Sequence, residues 1–239
     1  MYIQLILLLN QNNRKMKNIK LRNLALVFAL AMTIGIMGCG EKSEKKVTAG
    51  DSKETAGMKG QVYKVSQTES VVDWLGKKVT GQHNGTIGIK SGEFGIENGK
   101  VTSGKFEIDM KTIKVLDIPE GEASNGKLVG HLASDDFFSA EKFPLSKFEI
   151  SKVEALNDPN KPGFNSNVTG NLTIRDVTKS ITFPANIKIE NNTLNATADF
   201  DIDRTEFGLK YGSGKFFEGL GDKMINDNFN LKLKIVAKP

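Results

Sequence analysis

Residues 181–189 read Ile-Thr-Phe-Pro-Ala-Asn-Ile-Lys-Ile. Ile181, Phe183, Ala185, Ile187 and Ile189 alternate with Thr182, Pro184, Asn186 and Lys188, the two-residue period of a strand with one dry face and one wet face. The rhythm recurs where Phe106, Ile108 and Met110 alternate with Lys105, Glu107 and Asp109, and where Phe229, Leu231, Leu233 and Ile235 alternate with Asn228, Asn230, Lys232 and Lys234. Similar runs occupy 62–65, 71–75, 86–89, 148–153, 168–174 and 194–202. Glu97-Asn98-Gly99, Asp158-Pro159, Pro162-Gly163 and Asn191-Asn192 supply turns between them.

Strands with a single apolar face must close on themselves or meet a second sheet to hide it. The pattern therefore predicts an all-β chain folded as an antiparallel β-barrel of about eight strands. Helical signal is scarce: residues 122–132 are the best candidate, with a further turn over 134–138 in which Ser134 caps the amides ahead of it. One or two short helices on the barrel are expected.

Upstream of the strands, the apolar run from Leu24 to Met37 follows Lys17, Lys20 and Arg22 and ends at Gly38-Cys39. A basic segment, a short apolar segment and a small residue form the layout of a secretory signal. Ile36-Met37-Gly38-Cys39 resembles the cleavage box of a bacterial lipoprotein, which implies that Cys39 is acylated and opens the mature chain. A transmembrane helix needs roughly 20 apolar residues, more than this run provides. Met16-Lys17-Asn18 opens such a signal cleanly, so Met16 is a candidate true start. Residues 1–38 thus read as a signal peptide, 39–60 as the acylated cysteine with a flexible polar tether, and 61–239 as the barrel domain.

Cleavage before Cys39 removes five of the 33 Lys and Arg residues and no acid, leaving 28 bases against 28 acids. The basic footprint expected of a nucleic-acid binder disappears with the signal. Cys39 is the chain's single cysteine, so the domain is built without disulfides.

Three segments then carry a resemblance. They are His131-Leu132-Ala133-Ser134-Asp135-Asp136-Phe137-Phe138 with Phe143-Pro144, the run from Val168 to Lys179, and Asp203-Arg204-Thr205-Glu206-Phe207-Gly208. With Tyr63-Lys64-Val65, Val72 and Trp74 ahead of them, they are similar in order and spacing to the YceI-like polyisoprenoid-binding family, over essentially all of 61–239. The resemblance implies a lipocalin-like barrel, exported to the cell envelope, holding an isoprenoid, quinone or fatty amphiphile.

An eight-stranded barrel is either filled by its own side chains or holds one small ligand. Candidate lipid-binding residues are Trp74, Phe106, Ile108, Phe148, Leu172, Phe183, Phe200, Phe229 and Leu231, with Gly170, Ala196 and Ala198 leaving room beside Phe200. Arg204 either pairs with Asp203 or Asp201 at the surface or orients a polar head group at the entrance. His131 beside Asp135 and Asp136 reads as a structural hydrogen-bonding residue, and Gly212-Ser213-Gly214-Lys215 as a mobile loop near the mouth. No metal, cofactor or catalytic residue is expected. A ligand-free interaction protein and, further off, a hydrolase using His131 are the competing readings, and a homodimer is left open.

Overall fold

The computed structural model describes residues 45–55 and 57–239; the expected signal peptide and Cys39 lie outside the described residues. Nine strands follow in order: β1 (Gln61–Val65), β2 (Val71–Lys78), β3 (Gly81–Glu97), β4 (Lys100–Val115), β5 (Leu145–Ala155), β6 (Ser166–Ile174), β7 (Val177–Glu190), β8 (Thr193–Asp203) and β9 (Asn228–Lys238). One α-helix, α1 (Ala123–Ala133), lies between β4 and β5. Every neighbouring strand pair is antiparallel.

Nine strands make eight staves. β1 and β2 both lie between β3 and β9: Lys64 faces Glu93 and Lys238, whereas Trp74 faces Gly85 and Leu231. The break between them keeps its hold on β9, because Ser66 N donates to Val236 O at 2.8 Å and Val236 N donates to Ser70 Oγ at 3.0 Å. This interrupted stave closes the barrel and leaves no free sheet edge. The turn signals have a backbone cause: Asn98 and Gly99 take φ of 52° and 73°, Asn191 and Asn192 φ of 49° and 56°, the left-handed pair of a tight hairpin.

The expected flexible tether does not describe residues 45–55. That segment straps the outside of the barrel. Val47 is buried, and its N–H donates to Asp201 O; Gly50 exchanges backbone hydrogen bonds with Ser180. Asn171 then clamps Lys53, accepting its N–H at 2.9 Å on Oδ1 and donating from Nδ2 to its carbonyl at 2.6 Å. The composition suggests a chain with too little to bury. One valine, backbone groups of β8 and β7 and the Asn171 side chain of β6 suffice to hold it.

The connections β2–β3, β4–β5, β6–β7 and β8–β9 gather at one end of the barrel, here termed the loop end. The β4–β5 and β8–β9 connections are long and carry α1 and a one-turn 3-10 helix, Arg204–Phe207. The opposite end has short turns at 98–99 and 191–192 and the 156–165 loop. Ser43–Pro239 forms one compact unit that contains the whole barrel and its core.

Candidate functional site

The inward residues do not fill the barrel. They surround a cavity of about 310 Å³ whose wall is almost entirely carbon. Its volume lies at the lower end of small-molecule pockets, roughly 300 to 1,000 Å³. All nine residues singled out from the sequence line it: Trp74, Phe106, Ile108, Phe148, Leu172, Phe183, Phe200, Phe229 and Leu231.

An aromatic series runs around this wall. Phe94 meets Phe106 edge to face with centroids 4.9 Å apart, Phe148 lies 5.6 Å from Phe183, and Phe183 stacks on Phe200 at 4.2 Å. Ala196 and Ala198 leave the space beside Phe200 open, as the alternation suggests. Gly170 works otherwise: a Cβ there would lie 2.5 Å from Phe148 Cζ, so the glycine seats the phenyl ring and adds no room to the cavity. Gly85 serves Trp74 in the same way, since a Cβ on it would come within 2.7 Å of Trp74 Cζ2. The Trp74 indole N–H is buried with no acceptor among the described residues.

Several wall residues lie outside the sequence-based set. Phe94, Ile87 and Ile89 come from β3, whose alternation is broken by register shifts at Thr86/Gly88, Ile89/Ser91 and Gly95/Ile96. Leu128 and Leu132 of α1, with Phe137, Phe138, Leu209 and Ile225, close the loop end. Of the segments that carry the resemblance, 131–138 supplies Phe137 and Phe138 to this end wall, and 203–208 supplies Phe207 to the buried core beside it.

Arg204 is not a surface ion pair with Asp203 or Asp201; it lines the cavity at the loop end. Its side chain is 5% exposed. Nε donates to Asn226 O at 3.0 Å, Nη1 to Leu209 O at 2.8 Å and Nη2 to Ile225 O at 3.1 Å, and its nearest carboxylate is Asp227, at 3.6 Å. Burial draws the guanidinium below its ordinary pKa against the pull of Asp227 and Asp203; it stays charged in any accessible range. Arg204 therefore ties both ends of the β8–β9 connection together.

Asp203 beside it is the hub of a second set of bonds. Oδ1 accepts from Thr205 N and Oγ1, and Oδ2 accepts from Lys215 Nζ at 2.6 Å and Lys46 Nζ at 3.2 Å. Burial alone would raise its pKa, yet the bonds from Lys215, Thr205 and Lys46 hold it well below the carboxylate range. The 212–215 loop is a tight turn with a fully buried Ser213, whose Oγ accepts from Lys215 N. His131 Nε2 sits 2.9 Å from Asp136 Oδ2, between the rings of Phe137 and Tyr211, in the structural role expected of it.

The model of the YceI-like domain matches residues 63–237. The chain belongs to the YceI-like family. A UPF0312 protein of Pseudomonas putida strain F1 is 30% identical over 135 residues, 53% of this chain and 64% of the relative. The YceI-like chain thus spans less than two thirds of that curated relative. Among solved structures, Burkholderia cenocepacia BcnA aligns with TM-score 0.55 and 22% identity over 73% of this chain and 99% of its own. A polyisoprenoid binding domain from Saccharophagus degradans, implicated in plant cell wall breakdown, aligns with TM-score 0.54 and 11% identity over 74% and 97%. At these identities the two structures speak for the YceI-like fold.

Proposed function

We propose that this YceI-like protein binds or carries a polyisoprenoid, quinone or similar amphiphile inside its barrel, without catalysing a reaction, and that an acylated Cys39 holds it in a bacterial cell envelope. The single observation that carries the binding reading is the carbon-lined cavity. A chain that packs its barrel solid has no such space, whereas each methylene moved from water into it contributes about 0.8 kcal/mol. Affinity then needs few polar contacts, and tolerance toward tail chemistry follows. The polyisoprenoid-binding neighbour and the family support the class of ligand. The Ile36-Met37-Gly38-Cys39 box supports the anchor.

Native mass spectrometry with lipid extraction, on the protein purified from a bacterial envelope, tests both parts. The expected result is a chain that starts at an acylated Cys39 and retains one extractable amphiphile. A chain mass with nothing bound, together with no quenching of Trp74, the single tryptophan, by added quinone, overturns the binding reading. An unmodified Cys39 overturns the anchor.

A further inference from the structure

All six exposed large hydrophobic side chains among the described residues, Val79, Leu116, Tyr211, Phe216, Phe217 and Met224, belong to connections at the loop end. The 98–99, 156–165 and 191–192 turns of the opposite end contribute none. Isolated surface hydrophobes are ordinary, but a clustered set marks an interaction surface.

The set is held in place. Val79 N donates to Met224 O at 3.2 Å, and Lys78 bridges to Ile225, which joins the β2–β3 hairpin to the β8–β9 connection. The N–H groups of Phe216 and Phe217 both donate to the carbonyl of buried Ser213, at 3.1 Å each, so a fixed turn presents the two rings to solvent. The cavity reaches the same place: Lys77 and Lys78, both exposed, are part of its wall beside Val79.

We propose that the loop end is a membrane-docking rim, which seats these side chains in the interface of a lipid bilayer and sets the cavity against the hydrocarbon that its own lining resembles. Three observations commit the rim to a bilayer. The cavity wall includes exposed Lys77 and Lys78 next to Val79, so the cavity approaches the surface beside the apolar set. Lys77, Lys78, Lys210 and Lys223 surround the set with no carboxylate within 4.0 Å among the described residues, and Lys210 lies 4.8 Å over the Phe216 ring; long basic side chains of this kind keep an apolar stem in the interface and a charge among head groups. Finally, the described chain begins at this end, with Lys45 O accepting from Asp201 N two residues before β8 runs into the loop end. Exposed Asp117 and Glu120 beside Leu116, and Glu218 and Asp222 in the β8–β9 connection, lie at the same end, so apolar insertion dominates and charge assists.

The docking reading shares the cavity with the carrier reading but is tested apart from it. The compact unit Ser43–Pro239 is floated with vesicles of equal parts phosphatidylethanolamine and phosphatidylglycerol. It should co-float, and a Phe216→Ser/Phe217→Ser variant should partition roughly tenfold or more less strongly. Leu116→Ser, on a separate connection, should also weaken partition, which keeps the test decisive if the double variant melts early. A parent that stays unbound, or variants that float equally well, overturn the rim and assign the patch to another partner. Trp74 quenching by a short-tailed quinone in vesicle-free buffer is read in parallel: uptake without flotation defeats docking alone, and flotation without uptake defeats the carrier reading alone.

Discussion

Lys215 Nζ lies 2.6 Å from Oδ2 of Asp203, a carboxylate only 5% exposed that also receives Lys46 from the outer strap. Because these bonds lower the folded pKa below its unfolded value of about 3.9, the stability they supply is complete above the unfolded value. It is lost as pH falls toward the folded one. Replacing Asp203→Asn should cost about 2 kcal/mol at neutral pH, with both lysines discounted because they are largely in water. Urea unfolding of parent and variant should show that deficit narrowing below about pH 4. A gap of unchanged size at acid pH would show that the carboxylate charge contributes nothing.

Ala198 sits in the cavity wall, opposite Ala185 and Leu233 on the flanking strands. Ala198→Phe should place a ring in the open volume, at a cost of about 1–3 kcal/mol, while abolishing quinone quenching of Trp74. Retained quenching at parental affinity would mean that the ligand lies elsewhere.

Asn171 holds the strap by two hydrogen bonds to the Lys53 backbone. Asn171→Ala should lower global stability by about 1–2 kcal/mol, and should speed amide exchange and proteolysis within 45–55 well ahead of the barrel. Protection of the strap equal to that of the parent would place its attachment at Val47 and Gly50 instead.

The strands from β6 to β9 were legible because each alternates apolar and polar residues without interruption, as Ile181 to Ile189 and Phe229 to Ile235 do. β3 was legible only in part. Its register shift between Ile89 and Ser91 moves residues between faces, so a strict period of two finds Ile87 and Ile89 and loses Phe94. The strap could not be read from composition, since its partners are backbone groups of β7 and β8 and polar side chains rather than apolar ones. Nor could Gly170: a small residue on an inward face signals either free space or a neighbour's ring, and Phe148 decides which. For Arg204, a local pairing with Asp203 was the reading sequence proximity favours. The acceptors that hold it are carbonyls five to 22 residues downstream, and carbonyls leave no trace in residue identity.

Arg204→Lys separates the two roles that its charge suggests. A lysine keeps the positive charge, and would still serve a ligand head group, but one ammonium cannot span the carbonyls of Leu209, Ile225 and Asn226 that the planar guanidinium reaches at 2.8–3.1 Å. At least two buried carbonyls lose their donor and the charge is set back among apolar neighbours, so stability should fall by about 3 kcal/mol. The 208–227 connection should lose amide protection first, since the Arg204 side chain joins its start to its end. Quinone affinity of the folded fraction should stay within about twofold of the parent, because the cavity's carbon wall supplies the binding energy. A variant that melts with the parent yet binds tenfold more weakly, about 1.4 kcal/mol, would return Arg204 to the ligand's head group.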